Sequence, residues 1–162
     1  MKTTIGRVEV EQSTFYIELA DDEDAEMYDT ESLMMCTPLL SGPGFVVSCG
    51  RQRGLVTITV HGLDGPPEPV GDLGEWTICE EFSVEMHGSV INVDAVMGNS
   101  GLGGASLFEA SGWTRFRVFA RGRDFRELTS TDESEQFMMQ IWSETQSRPR
   151  LGYGSDENIS YG

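Results

Sequence analysis

Apolar residues recur along this chain with a period of two. Phe15, Ile17 and Leu19 alternate with Tyr16 and Glu18, and Val56, Ile58 and Val60 alternate with Thr57 and Thr59. Successive side chains of a strand point to opposite faces, so this spacing belongs to half-buried strands rather than to helices. Ile78, Phe82, Val84 and Met86 share one parity, interrupted by Glu80, which predicts a bulge or a strand edge there. Ile91, Val93 and Ala95 follow the short turn at His87-Gly88, and Phe116, Val118 and Ala120 define an inner face between Trp113 and Gly122. Phe137, Met139 and Ile141 alternate with Gln136, Met138, Gln140 and Trp142. Strands near Val8–Val10 and Phe45–Ser48 bring the expected count to about eight. Short strands punctuated by Gly and Pro turns predict an all-β fold, an antiparallel β-sandwich.

The length of 162 residues suits one domain, expected over residues 1–149 with a flexible tail at 150–162. Residues 62–75 contain three prolines and four glycines and read as an ordered, irregular loop. Residues 98–106 read as a flexible Gly-rich loop. The segment from Asp21 to Met35 is the one expected departure from strand, a short acidic helix or loop excursion. Asp21 or Asp22 would cap the helix, early acids would complement its dipole, and Pro38 would end it. Met27, Leu33 and Met34 form an imperfect apolar stripe along it.

That segment dominates the charge pattern. Between Val8 and Gly50 stand ten acids and no Lys or Arg, and seven of the acids fall between Asp21 and Glu31. Five of the chain's eleven basic residues crowd between Arg115 and Arg126, so the domain reads as dipolar. A net charge of −16 argues against direct nucleic-acid binding and against docking on anionic membranes through a basic surface, because both need clustered Lys and Arg. It suits a basic protein partner. The run fails the EF-hand template: counted from Asp22, the sixth residue is Met27 and the twelfth Leu33, where Gly and Glu are required. No metal site and no cofactor is expected.

Arg115, Arg117, Arg121 and Arg123 occupy one parity of a strand whose other face is apolar, with Phe119 and Trp113 among them. Such a ladder reads either as an anion-binding strip or as cross-strand pairing with carboxylates such as Glu81 and Glu85. In so acidic a chain the pairing is favoured, as exposed pairs of small energetic weight. His61 and His87 each close a predicted strand and fit no metal or catalytic spacing. Cys36, Cys49 and Cys79 form no CxxC pair, and no GxSxG elbow or phosphate loop is present. The N-terminus lacks an apolar signal-peptide core and no run approaches a membrane span, so cytoplasmic residence with reduced thiols is expected.

The segments EEFSVE at 80–85, WTRFRVFARGRD at 113–124 and EQFMMQIWSE at 135–144 are similar to small uncharacterised bacterial β-sandwich proteins. The architecture also resembles the competence-protein-J type of nuclease inhibitor, which implies inhibition of a partner protein. Lys2 is the only lysine, a preference for Arg that suits a GC-rich bacterial source or its phage.

The expected function is therefore non-enzymatic. The chain reads as an immunity or inhibitor protein that binds a basic toxin or nuclease through Asp21, Asp22, Glu23, Asp24, Glu26, Asp29 and Glu31. The alternative is a small-ligand or carbohydrate-binding sandwich using Trp76, Trp113 or Trp142 beside the 62–75 and 98–106 loops. An enzyme ranks third and would need His61, His87 and a carboxylate to converge.

Overall fold

The computed structural model describes residues 2–10, 12–20, 25–39, 44–50, 53–87, 90–95, 111–123, 129–130 and 135–153. Twelve strands carry them: β1 (Lys2–Val10), β2 (Thr14–Ala20), β3 (Glu26–Met27), β4 (Cys36–Pro38), β5 (Gly44–Ser48) and β6 (Arg53–Gly62), then β7 (Ile78–His87), β8 (Val90–Ala95), β9 (Ser111–Arg121), β10 (Thr129–Ser130), β11 (Gln136–Ser143) and β12 (Arg150–Tyr153). The protein is all-β, in two sheets. The larger has the order β1-β6-β11-β9-β7-β12, with β10 also on β6 and β3 also on β7; the smaller has the order β4-β5-β2-β8.

The period-two pattern dictates how the sheets meet. Val56, Ile58 and Val60 of β6, Phe82 and Val84 of β7, Phe116 and Val118 of β9 and Phe137 and Met139 of β11 turn one face of the larger sheet inward. Phe15, Ile17, Phe45 and Val47 of the smaller sheet enter the same core. Phe45 stands edge-on to Phe82 and Phe116 at 5.0 and 5.4 Å, and Phe15 edge-on to Phe137 at 5.1 Å. These are favoured aromatic geometries, and they bind one sheet to the other.

Three expectations are corrected. The larger sheet is mixed rather than antiparallel, since β11 runs parallel to β6 from Gln136↔Thr57 to Ile141↔Gly62, and β10 does the same at Arg53 and Gly54. A parallel neighbour arrives by a long connection, which strand periodicity cannot signal. No bulge occurs at Glu80: the β7–β9 register is unbroken from Ile78↔Ala120 to His87↔Ser111. The described part of the acidic segment forms no α-helix. Glu26 and Met27 add to the edge of β7, Thr30–Ser32 make one 3₁₀ turn, and Asp29 before it sits in the left-handed region at φ 52°. Leu33 and Met35 are buried while Met34 is exposed, the alternation of an extended chain.

The sheet also continues past residue 149, where Arg150–Tyr153 pair with Glu81–Ile78. The 98–106 loop and residues 154–162 lie outside the described residues.

β7 and β9 are buried on both faces. In β9 every residue from Thr114 to Ala120 is buried, including Arg115 and Arg117. Their outer face is covered by two irregular segments, 63–77 and 144–149, which sit over it like straps.

Candidate functional site

The arginine ladder is an interior network. Glu81 lies opposite Arg117 in the β7–β9 pair, and Ser83 lies opposite Arg115. Arg115 Nε donates to Glu81 Oε2 at 2.9 Å and Arg117 Nε to Glu81 Oε1 at 2.7 Å. Arg115 Nη1 also donates to Ser83 Oγ and the Ser147 carbonyl, both at 2.8 Å, and its Nη2 to the Arg148 carbonyl at 2.7 Å. Arg117 Nη1 reaches the Glu68 carbonyl at 3.1 Å and Gln140 Oε1 at 3.2 Å, and the guanidinium lies 5.1 Å from the Trp142 ring centroid. One carboxylate thus holds two guanidiniums, and the guanidiniums hold both straps. Burying these charges is expensive, and the many charge-assisted hydrogen bonds offset it.

The pairing expected with Glu81 is present, but it is buried rather than exposed, and Glu85 takes no part in it. Arg121 is more open: it bonds Gln136 and Glu75 and lies 4.8 Å from the Trp76 ring centroid. Arg123 is buried. The ladder's consecutive guanidiniums therefore do not form an open anion-binding strip.

Two further glutamates are inside. Glu80, on the core face of β7, accepts from the backbone N–H groups of Met34 at 2.7 Å, Met35 at 2.9 Å and Cys36 at 2.8 Å. It fastens the end of the acidic segment and the start of β4. Glu135 accepts from the Gly50 N–H across 85 residues of sequence. Among the described residues, buried Arg115, Arg117 and Arg123 are matched in number by buried Glu80, Glu81 and Glu135. These six cancel, so the net charge of −16 is carried by the rest of the chain. The dipole suggested by the sequence is largely folded away.

The acidic edge sits at one end of the same face. Glu26 lies opposite Glu85 across the β3–β7 pair, so two carboxylates face each other. Tyr28, anchored by its N–H to the Ser83 carbonyl at 2.9 Å, contacts Trp113 edge-on at 6.1 Å. Asp29 and Glu31 follow, exposed. Among the described residues no ion pair engages Glu26, Asp29 or Glu31, while Glu85 lies 3.4 Å from His87. Asp21, Asp22, Glu23 and Asp24 lie outside the described residues. Tyr28 was not anticipated; only its place inside the acid run marked it.

The structure keeps the two histidines apart. His61 Nδ1 is 2.9 Å from Thr3 Oγ1. The register runs from His61 through Gln140 and Arg117 to Glu81, three strands over, and His87 lies six residues farther along β7. That last step alone is about 20 Å. The convergence an enzyme would need is not made by these residues. Nor do the tryptophans gather: Trp76 packs on Phe119, Trp113 on Tyr28, and Trp142 beneath Arg117.

Cys36, Cys49 and Cys79 are free thiols, all buried. Burial, reinforced by Glu81 and Glu80 and opposed by Arg117, pushes the Cys79 thiol up to about 12. Burial likewise raises Cys36, with Glu80 adding to it. Neither is an activated nucleophile. Among the described residues no group of three or more His, Cys, Asp or Glu is placed to hold a metal ion. None of their helices is long and apolar enough to cross a membrane.

No protein-family model, curated protein or solved structure matches this chain.

Proposed function

We propose that this chain is a non-enzymatic β-sandwich binding protein, an immunity or inhibitor protein of the bacterial cytoplasm, which engages a basic toxin or nuclease through its acidic edge. One observation carries the reading: Glu26 is set opposite Glu85, with Asp29 and Glu31 exposed beside them. Like charges directly opposite on paired strands destabilise a sheet, so the arrangement makes sense where a cationic partner relieves it. A local rule broken in this way marks a functional surface, and among the described residues Glu26 has no ion pair that would relieve it. Tyr28 and Trp113 give that surface an aromatic centre, and such residues anchor many interfaces. Buried Arg115, Arg117 and Arg123 are matched in number by buried Glu80, Glu81 and Glu135, which leaves this field largely unopposed and favours rapid, salt-sensitive association. Asp21, Asp22, Glu23 and Asp24 belong to the same contact segment.

The test is the association rate with a panel of cationic nuclease and toxin domains, measured against ionic strength. The triple variant Glu26→Gln, Asp29→Asn, Glu31→Gln is expected to slow association by about tenfold or more at low salt. Binding at an unchanged rate would overturn the reading, as would a panel in which no cationic domain binds.

A further inference from the structure

β1 forms one rim of the larger sheet: among the described residues β6 pairs with one side of it and no strand pairs with the other. It is a long edge. The ladder to β6 is unbroken from Lys2↔Gly62 to Val10↔Gly54, so neither a bulge nor a proline interrupts its nine residues. A straight edge strand presents a row of backbone donors and acceptors on which another strand can pair. Thr3, Ile5, Arg7 and Glu9 are exposed on its outer face. Ile5, at 67%, is the most exposed large apolar side chain among the described residues.

Charge decides what docks there. A chain of net −16 repels its own copies, yet β1 and β6 carry Lys2, Arg7 and Arg53 against Glu9 alone. Edge strands are commonly guarded by charges that repel a second strand. Arg7 and Glu9 instead have opposite signs, two residues apart on one face, so two copies of β1 can satisfy each other. In a two-fold antiparallel pair one residue faces its own copy and fixes the register. Centred on Ile5 or Gly6, the pair sets Arg7 against Thr3 or Ile5 of the second copy. Centred on Arg7, it opposes like charges. Centred on Val8, it sets Arg7 against Glu9 and Glu9 against Arg7, with Cβ atoms about 4.5–5.5 Å apart. Within the chain β6 offers neither of them a charge, since Thr57 lies opposite Arg7 and Leu55 opposite Glu9.

We propose that two copies of this chain join edge to edge through β1, antiparallel and centred on Val8, so that one sheet runs across both. The strand order puts the acidic edge at the far side of each larger sheet. The assembly therefore leaves both acidic edges open and does not rest on the reading above.

Sedimentation equilibrium on the 162-residue chain is expected to show a reversible dimer, with a dissociation constant of about 1–100 µM. Arg7→Glu and Glu9→Arg each set like charges opposite one another twice, and each should weaken the dimer about tenfold or more. The double variant Arg7→Glu/Glu9→Arg restores opposite signs and should recover the original constant. Both positions are exposed, and circular dichroism checks that the strands persist. Amide exchange in β1 should slow as protein concentration rises. A monomer at every concentration, with β1 left for a strand of some other protein, overturns the proposal. So does a dimer indifferent to the single changes, or one that the double variant fails to restore.

Discussion

Glu26 and Glu85 face each other across the short β3–β7 pair, two carboxylates at the edge of a sheet. Cross-strand neighbours of like charge oppose pairing, and β3 contributes only two residues to hold itself in place. Replacing Glu26 by Gln is therefore expected to stabilise the protein by about 0.2–1 kcal/mol. The same change should slow association with a cationic partner. Urea denaturation reads the first effect and stopped-flow binding the second. A variant that loses stability would show that the facing carboxylates are not in conflict.

Glu80 replaces an apolar side chain on the core face of β7, and its two oxygens serve three backbone donors. Glu80→Gln turns one acceptor into a donor aimed at N–H groups, and should destabilise by on the order of 3 kcal/mol. The urea midpoint should fall with little change in slope. Amide exchange at Met35 and Cys36 should quicken more than exchange in β9.

Glu81 is the carboxylate that Arg115 and Arg117 share, so Glu81→Gln leaves two buried guanidiniums without that partner. Removing one member of a buried ion pair typically costs about 3–5 kcal/mol. The straps should loosen with it, because Ser147, Arg148 and Glu68 are held by the same guanidiniums. Limited proteolysis should then cut within 63–77 or 144–149 before the sheet strands. Cleavage elsewhere first would show that the network does not hold the straps.

The buried thiols bear on alkaline stability. Cys79 is raised from 9.0 to about 12, chiefly by burial, so the folded protein favours its neutral form. Its contribution is complete below the unfolded value and is lost as pH climbs from about 9 toward 12. Cys36 shifts in the same direction. The urea midpoint should fall across that window, and Cys79→Ala should flatten the decline. At pH 8 a disulfide reagent should label none of the three thiols before unfolding and all of them afterwards.

Alternation alone located the main strands, because a strand that buries one face writes its period directly into the sequence. The β6, β9 and β11 core positions were all legible this way. The pattern failed where a polar residue was buried on purpose. Glu80 broke parity and suggested a bulge, yet the ladder is unbroken and the carboxylate is satisfied by backbone 44 to 46 residues earlier. Arg115 and Arg117 looked like an outward ladder because nothing local announces that distant straps will cover them.

The sequence by itself determined an all-β chain, its principal strand faces and a strongly negative net charge, since each follows from residue identity and short-range spacing. Only the tertiary structure decided the mixed pairing of β11 with β6, the burial of the arginines and the placing of Glu26 against Glu85. Those depend on contacts between segments far apart in the chain. The free energy of a buried charge is set by what surrounds it in space, and no local pattern carries that information.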